Sequence, residues 1–250
     1  MSQFVPSDGT APGTIEVRRV DVHTFELLRR GFDLMGDQYW LMVLIVLVGV
    51  IVGSAVPLNL LLGPMLVGIF LCFAQLERWR KTEFGALFRG FDHFLDSFIV
   101  TLILMAAALA ITAILITLIV GAIFVSIAAE LPEEVIFLSV IASVLVALPF
   151  LMLVYLPFVF AYQLVADRRL GGVQAVRLSL EGVRANLWGV LLFVVACGVI
   201  SLLATMMCYL PALLFMPIQF AASFLLYRDI FGASEYDPPA LSVPQLPVAS

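Results

Sequence analysis

The segment RGFDLMGD, residues 30–37, returns at residues 89–96 as RGFDHFLD, and each copy stands just ahead of a long apolar run. In register, Phe25, Leu28, Phe32, Met35 and Tyr39 fall on Phe84, Leu87, Phe91, Phe94 and Phe98. The spacing i, i+3, i+7, i+10, i+14 is one stripe of an α-helix. The same stripe occurs a third time ahead of a greasy run, as Val173, Val176, Leu180, Val183 and Leu187. Other columns agree. Gly31, Gly90 and Ser179 are small, Phe32, Phe91 and Leu180 are apolar, Asp33, Asp92 and Glu181 are acidic, and Trp40 recurs as Trp188.

The apolar runs behind the stripes decide the class of protein. The chain is 63% hydrophobic and 12% charged, with a mean hydropathy of +1.12. A soluble domain is about half apolar and about a quarter charged. No charged residue falls in 38–76, 97–129, 135–166 or 185–227. A helical membrane crossing takes about 20 apolar residues. The first and last of these windows are each long enough for a hairpin, and each is punctuated midway, by Pro57, Asn59, Gly63 and Pro64 in one and by Cys208 and Pro211 in the other. The middle two suit one long or tilted span apiece, separated by Glu130, Pro132, Glu133 and Glu134. Six spans result.

The basic residues test that count independently, because short cytoplasmic loops collect Lys and Arg. With six spans, all 13 basic residues fall on one side, and the other side carries only Glu130, Glu133 and Glu134. Both termini are then cytoplasmic. The start of the chain is too polar for a cleavable signal peptide, so the first span is expected to act as an uncleaved insertion signal.

The expected fold is all-α and polytopic, three tandem units of an amphipathic interfacial helix followed by a helical hairpin, at about 24–80, 81–169 and 170–231. The membrane domain covers 21–231, between flexible tails at 1–20 and 232–250 that are rich in Pro, Ser, Gly and Ala. Each hairpin's second span carries two prolines, Pro57 and Pro64, Pro149 and Pro157, Pro211 and Pro217, and then an Arg-acid cluster. These clusters are Glu77-Arg78, Asp167-Arg168 and Arg228-Asp229. An amphipathic helix ahead of a span, with Arg beside its apolar stripe, suits the membrane interface with Phe and Leu down and charge up. Gly31 and Gly90 then allow close backbone approach to a neighbour. The competing reading extends the spans into the cytoplasm as continuous helices.

Little chemistry is written in the side chains. Asp33 with Asp37, and Asp92 with Asp96, are i, i+4 carboxylate pairs, the second beside His93. Such pairs hold divalent metals or share protons in some sites, but here they read as a solvated face offsetting Arg29, Arg30 and Arg89. His23 and His93 lack ligand spacing, and Cys72, Cys197 and Cys208 read as free thiols without metal-type spacing. No HExxH, phosphate-loop or GxSxG motif occurs. No Asp, Glu, Lys, Arg or His lies within the spans, which argues against a proton-driven pump or an intramembrane metalloprotease. Helix breaks at the prolines leave a carrier open as an alternative.

The run GPMLVGIFLCFAQLERWRKTEFGALFRGFDHF, residues 63–94, resembles the signature of a family of uncharacterised bacterial integral membrane proteins in which Gly-Pro, a Gly, a basic residue and Leu-Phe-x-Gly-Phe follow in order. AVRLSLEGVRANLWGVL, residues 175–191, is similar to that family's second signature. Related domains include the membrane part fused to some glycerophosphodiester phosphodiesterases. The resemblance implies a multi-pass bacterial inner-membrane protein, and no phosphodiesterase domain accompanies it here. The expectation is a non-enzymatic protein of scaffold or envelope-homeostasis type, with no cofactor, metal or nucleic acid. Its expected partners are anionic lipids, at Arg29, Arg30, Arg89, Arg177 and Arg184, and a possible membrane-protein partner. The alternative is a small-molecule or lipid transporter with its route between the hairpins.

Overall fold

The computed structural model describes residues 17–55, 59–207 and 209–232, with the backbone alone at 147–151. Pro57, Cys208, the side chain of Pro149 and almost all of both expected tails lie outside the described residues. What is described is helical, without a strand. In chain order the helices are α1 (Thr24–Met35), α2 (Tyr39–Ala55), α3 (Leu62–Trp79), a 3-10 helix (Phe84–His93), α4 (Phe94–Ala128), α5 (Glu133–Tyr155), α6 (Ala161–Arg168), α7 (Gly172–Ala185), α8 (Leu187–Met207) and α9 (Tyr209–Phe231).

Four helical stretches of the described residues are long and apolar enough to cross a membrane: Thr24–Ala55, Phe84–Ala128, Leu187–Met207 and Tyr209–Phe231. Two further spans are expected from the sequence. α3 is 18 residues long and ends in Gln75, Glu77 and Arg78, which dilute its apolar run. α5 contains the residues whose side chains are not described.

The breaks follow from local chemistry. Pro64 and Pro211 occupy the first turns of α3 and α9, where a missing N–H costs nothing. Pro157 falls in a short 3-10 turn, Leu156–Phe158, that separates α5 from α6. Pro217 lies inside α9, where it removes one helical hydrogen bond. Asn59 and Glu130 adopt positive φ between α2 and α3 and between α4 and α5. α3 and α6 end in left-handed Arg80 and Arg169, and α9 is followed by left-handed Gly232, the usual way to satisfy the last carbonyls of a helix.

Within each hairpin the helices pack together: α2 on α3, α4 on α5 and α8 on α9. α3 is the most enclosed, buried at nearly every position from Gly63 to Leu76. The three short helices pack on their neighbours: the 3-10 helix on α3, α1 on α9, and α7 on α4, α6 and the turn before α6. At each crossing a small residue stands at the contact. A Cβ on Gly31 would meet the backbone nitrogen of Ala222 at 2.9 Å. One on Gly90 would run into the Pro64 carbonyl and Gly68, and one on Gly68 into the Leu87 carbonyl. At the third crossing the Ser179 hydroxyl accepts a hydrogen bond from the Phe160 N–H at 3.2 Å.

One element differs from the periodic expectation. The second stripe is wound as a ten-residue 3-10 helix, not as an α-helix. Three residues per turn align i and i+3, which puts Leu87 and Gly90 together on α3 and lets the backbones come into contact. Outside, Phe91 and Phe94 stack at 6.5 Å and Phe94 and Phe98 at 5.9 Å.

Candidate functional site

Three places gather the polar and exposed groups. The first is where α3, α6 and α9 end. Arg228 Nε lies 3.0 Å from Glu77 Oε2, and its Nη1 donates to Asp167 Oδ2 at 3.4 Å. Tyr227 donates its hydroxyl proton to the same Asp167 oxygen at 2.8 Å, and Arg168 Nε is 3.5 Å from it. Arg168 also donates to the Phe231 carbonyl at 3.1 Å, closing the end of α9. Asp167 is buried, so its charge depends on these partners. The Arg228 guanidinium further covers the Phe224 ring at 5.1 Å. The Arg-acid clusters of the sequence thus join one another. Arg228 joins α9 to α3 and α6, and Arg168 joins α6 to the end of α9, so the arrangement is a fastener.

The second place is the outer side of the short helices. On α1 the buried residues are Thr24, Leu27, Leu28, Gly31 and Met35; on the 3-10 helix, Ala86, Leu87 and Gly90; on α7, Gly172, Ala175, Leu178, Ser179, Gly182 and Val183. The stripe read from the sequence is therefore divided. Leu28, Met35, Leu87 and Val183 face the protein, whereas Phe25 (78% exposed), Phe32, Phe84, Phe91 and Val173 face away, and Leu180 is half-buried. Asp33 and Asp92 are exposed and Glu181 is half-buried.

The five arginines expected at lipid are not equivalent. Arg29 is exposed, with Asp33 at 3.9 Å. Arg30 is committed to Asp229 at the end of α9, through two hydrogen bonds of 2.9 and 3.3 Å. Arg89 is half-buried, its Nη1 sealed from solvent and without a hydrogen-bond partner among the described residues. Arg177 and Arg184 are exposed and form no ion pair among the described residues. The Asp92/Asp96 pair also separates, since Asp96 Oδ1 accepts from the Gly172 N–H at 3.4 Å, at the start of α7. Among the described residues no group of three His, Cys, Asp or Glu is placed to hold a metal. Cys72 and Cys197 are free and buried.

The third place is a cleft of about 320 Å³ between α3, the α5–α6 junction, α8 and α9. It lies beside Pro157 and Pro217, with Phe158 and Met216 on its wall. Sequence reasoning weighs charged groups in the spans and passes over the uncharged polar ones. Tyr162 shares a hydrogen bond with Thr101 at 3.2 Å, Gln163 donates to Ser223 at 2.9 Å, and Ser201 donates to Gln219 at 3.2 Å. Gln163 and Gln219, each standing in an apolar run, are the available signal.

Comparison with protein-family models, with curated proteins and with solved structures found no match.

Proposed function

We propose that this chain is a non-enzymatic, six-span protein of the bacterial inner membrane, of scaffold or envelope-homeostasis type. In this reading three units of interfacial helix plus hairpin present arginines to anionic lipid headgroups or to a partner. The observation that carries it is the two-sidedness of the short helices. One side is packed against a neighbouring helix, and on α1 and the 3-10 helix the other exposes Phe25, Phe32, Phe84, Phe88 and Phe91, with arginines alongside. Exposed aromatics beside Arg suit a headgroup boundary. Trp40 and Trp188, both well exposed at the starts of α2 and α8, suit the same level.

The arginines that remain open to lipid are Arg29, Arg177 and Arg184, because Arg30 already has Asp229 and Arg89 is half-buried with its Nη1 sealed from solvent. Each basic residue near an anionic leaflet contributes about 1 kcal/mol. Protein purified in mild detergent should therefore retain phosphatidylglycerol or cardiolipin above their bulk fraction, and replacing Arg29, Arg177 and Arg184 together by Gln should lower that retention in native mass spectrometry. An unchanged lipid complement in the triple variant removes lipid contact from the reading and leaves these arginines a topological role.

Transport of a neutral or lipidic molecule is the second reading, favoured by the cleft beside Pro157 and Pro217. A charged substrate does not suit it, as no ionisable Asp, Glu, Lys, Arg or His lines that cleft.

A further inference from the structure

We infer that the cleft between α3, the α5–α6 junction, α8 and α9 is a binding site for one acyl chain of a membrane phospholipid. The inference rests on the membrane-spanning reading above.

The wall is mostly hydrocarbon and aromatic: Leu66, Phe70, Phe158, Phe193, Met216 and Phe220 contribute to it. Three of its polar members have protein partners. Tyr162 is bonded to Thr101, Ser223 to Gln163, and Gln219 to Ser201. A headgroup phosphate or ammonium inside would lose its hydration without gaining a countercharge. The occupant is therefore apolar. Water is a poor filling for such a space, because apolar cavities stay dry. An unfilled one forfeits the dispersion contacts of its lining atoms.

Size narrows the choice. About 320 Å³ lies at the small end of ligand pockets, roughly 300–1,000 Å³, enough for one chain and too little for both chains of a phospholipid. Access decides the source. Phe193 and Cys197 are buried at the back, whereas Tyr155 on the rim is 56% exposed. The helices that frame the cleft also expose Leu153 on α5 and Leu192 and Val199 on α8. In the six-span reading these residues face lipid tails, so a chain enters sideways while its headgroup stays in the leaflet.

The test uses the full chain in vesicles of phosphatidylethanolamine and phosphatidylglycerol, a small fraction of the former carrying a diazirine midway along one acyl chain. After irradiation, adducts are mapped by peptide mass spectrometry. Wild-type protein should show adducts on Phe193–Cys197 and Met216–Ser223 several-fold above those on Leu202 and Leu203, which are exposed on the outer surface of α8. Val194→Phe, at the half-buried edge of the cleft, and Cys197→Phe, at its back, should each suppress the cleft adducts and leave the outer ones unchanged. Two variants are used because a phenylalanine at the back can disturb folding, whereas one at the edge has room to turn outward. Cleft labelling no higher than outer labelling, or unaffected by Val194→Phe, overturns the inference. So does labelling of the cleft by a diazirine fatty acid but not by the phospholipid. If neither the cleft nor Leu202 and Leu203 is labelled, the membrane-spanning reading has itself failed, an outcome distinct from outer labelling alone.

Discussion

Arg228 sets the residue scale, since its two contacts, 3.0 Å to Glu77 and 3.4 Å to Asp167, tie α9 to both α3 and α6. Asp167 is 5% exposed, and removing Arg228, one of its two cationic neighbours, weakens the compensation of a carboxylate that water reaches poorly. Breaking such a buried pair costs about 3–5 kcal/mol. Arg228→Gln should therefore lower stability by about 3 kcal/mol in denaturant unfolding. Arg29→Gln, at an exposed ion pair, should change it by less than about 0.5 kcal/mol. Equal effects would mean that the cluster is open to water. Glycine gives a second comparison at this scale. A methyl group on Gly90 meets the Pro64 carbonyl and the backbone of Gly68, whereas one on Gly121 of α4 meets nothing within 4 Å. Gly90→Ala should cost at least about 2 kcal/mol or abolish folded yield, because backbone cannot yield as a side chain does. Gly121→Ala, in the interior of a helix with open space at the Cβ, should cost nothing and stabilise by up to about 1 kcal/mol. If the two behave alike, the 3-10 helix does not sit on α3 in the native protein.

At the scale of the element, the short helices separate what sequence reveals from what it withholds. Period and composition locate all three, because an apolar position every third or fourth residue survives in any sequence of sufficient length. The crossing residues Gly31, Gly90 and Ser179 are also legible as a column of small side chains. The division of the stripe is not. Phe25 and Leu28 share one helical face, and only the neighbour beneath decides which of them is covered; α9 takes Leu27, Leu28 and Gly31. Nor is the 3-10 winding of Phe84–His93, which goes with a backbone contact to Gly68 that no local pattern encodes. The charge clusters are visible as chain ends, but their mutual pairing depends on how three helix ends converge. The exposed columns can be checked by depth. Spin labels at Phe32 and Phe91 should report shallow membrane depth, and labels at Asp33 and Asp92 should report water. Water at both sets would place these helices in the cytoplasm, free of the interface.

For the whole molecule, the packing of α1 on α9 closes the chain on itself. The Arg18 N–H donates to the Ile230 carbonyl at 2.9 Å, and Asn186, at the foot of α8, donates to the Arg18 carbonyl and accepts from the Val20 N–H, both at 2.8 Å. The two ends of the described chain therefore lie side by side, which favours an even number of membrane crossings. The lengths are uneven: α2 has 17 residues, α8 has 21 and α4 has 35. Thirty-five residues run about 52 Å, against a hydrocarbon core of about 30 Å. Tilt absorbs part of the excess, but helices seldom lean beyond about 40°, so the turn at Glu130–Glu134 should stand clear of the far side of the core. The basic residues, by contrast, belong to the near side in the six-span reading. With Cys72, Cys197 and Cys208 replaced by Ala, a membrane-impermeant maleimide added to intact cells should modify Glu133→Cys and leave Arg80→Cys untouched until the membrane is opened. Modification of Arg80→Cys from outside would reverse the orientation. Modification of both from the same side would mean that the segment between them crosses an even number of times, and the six-span arrangement would have to be abandoned.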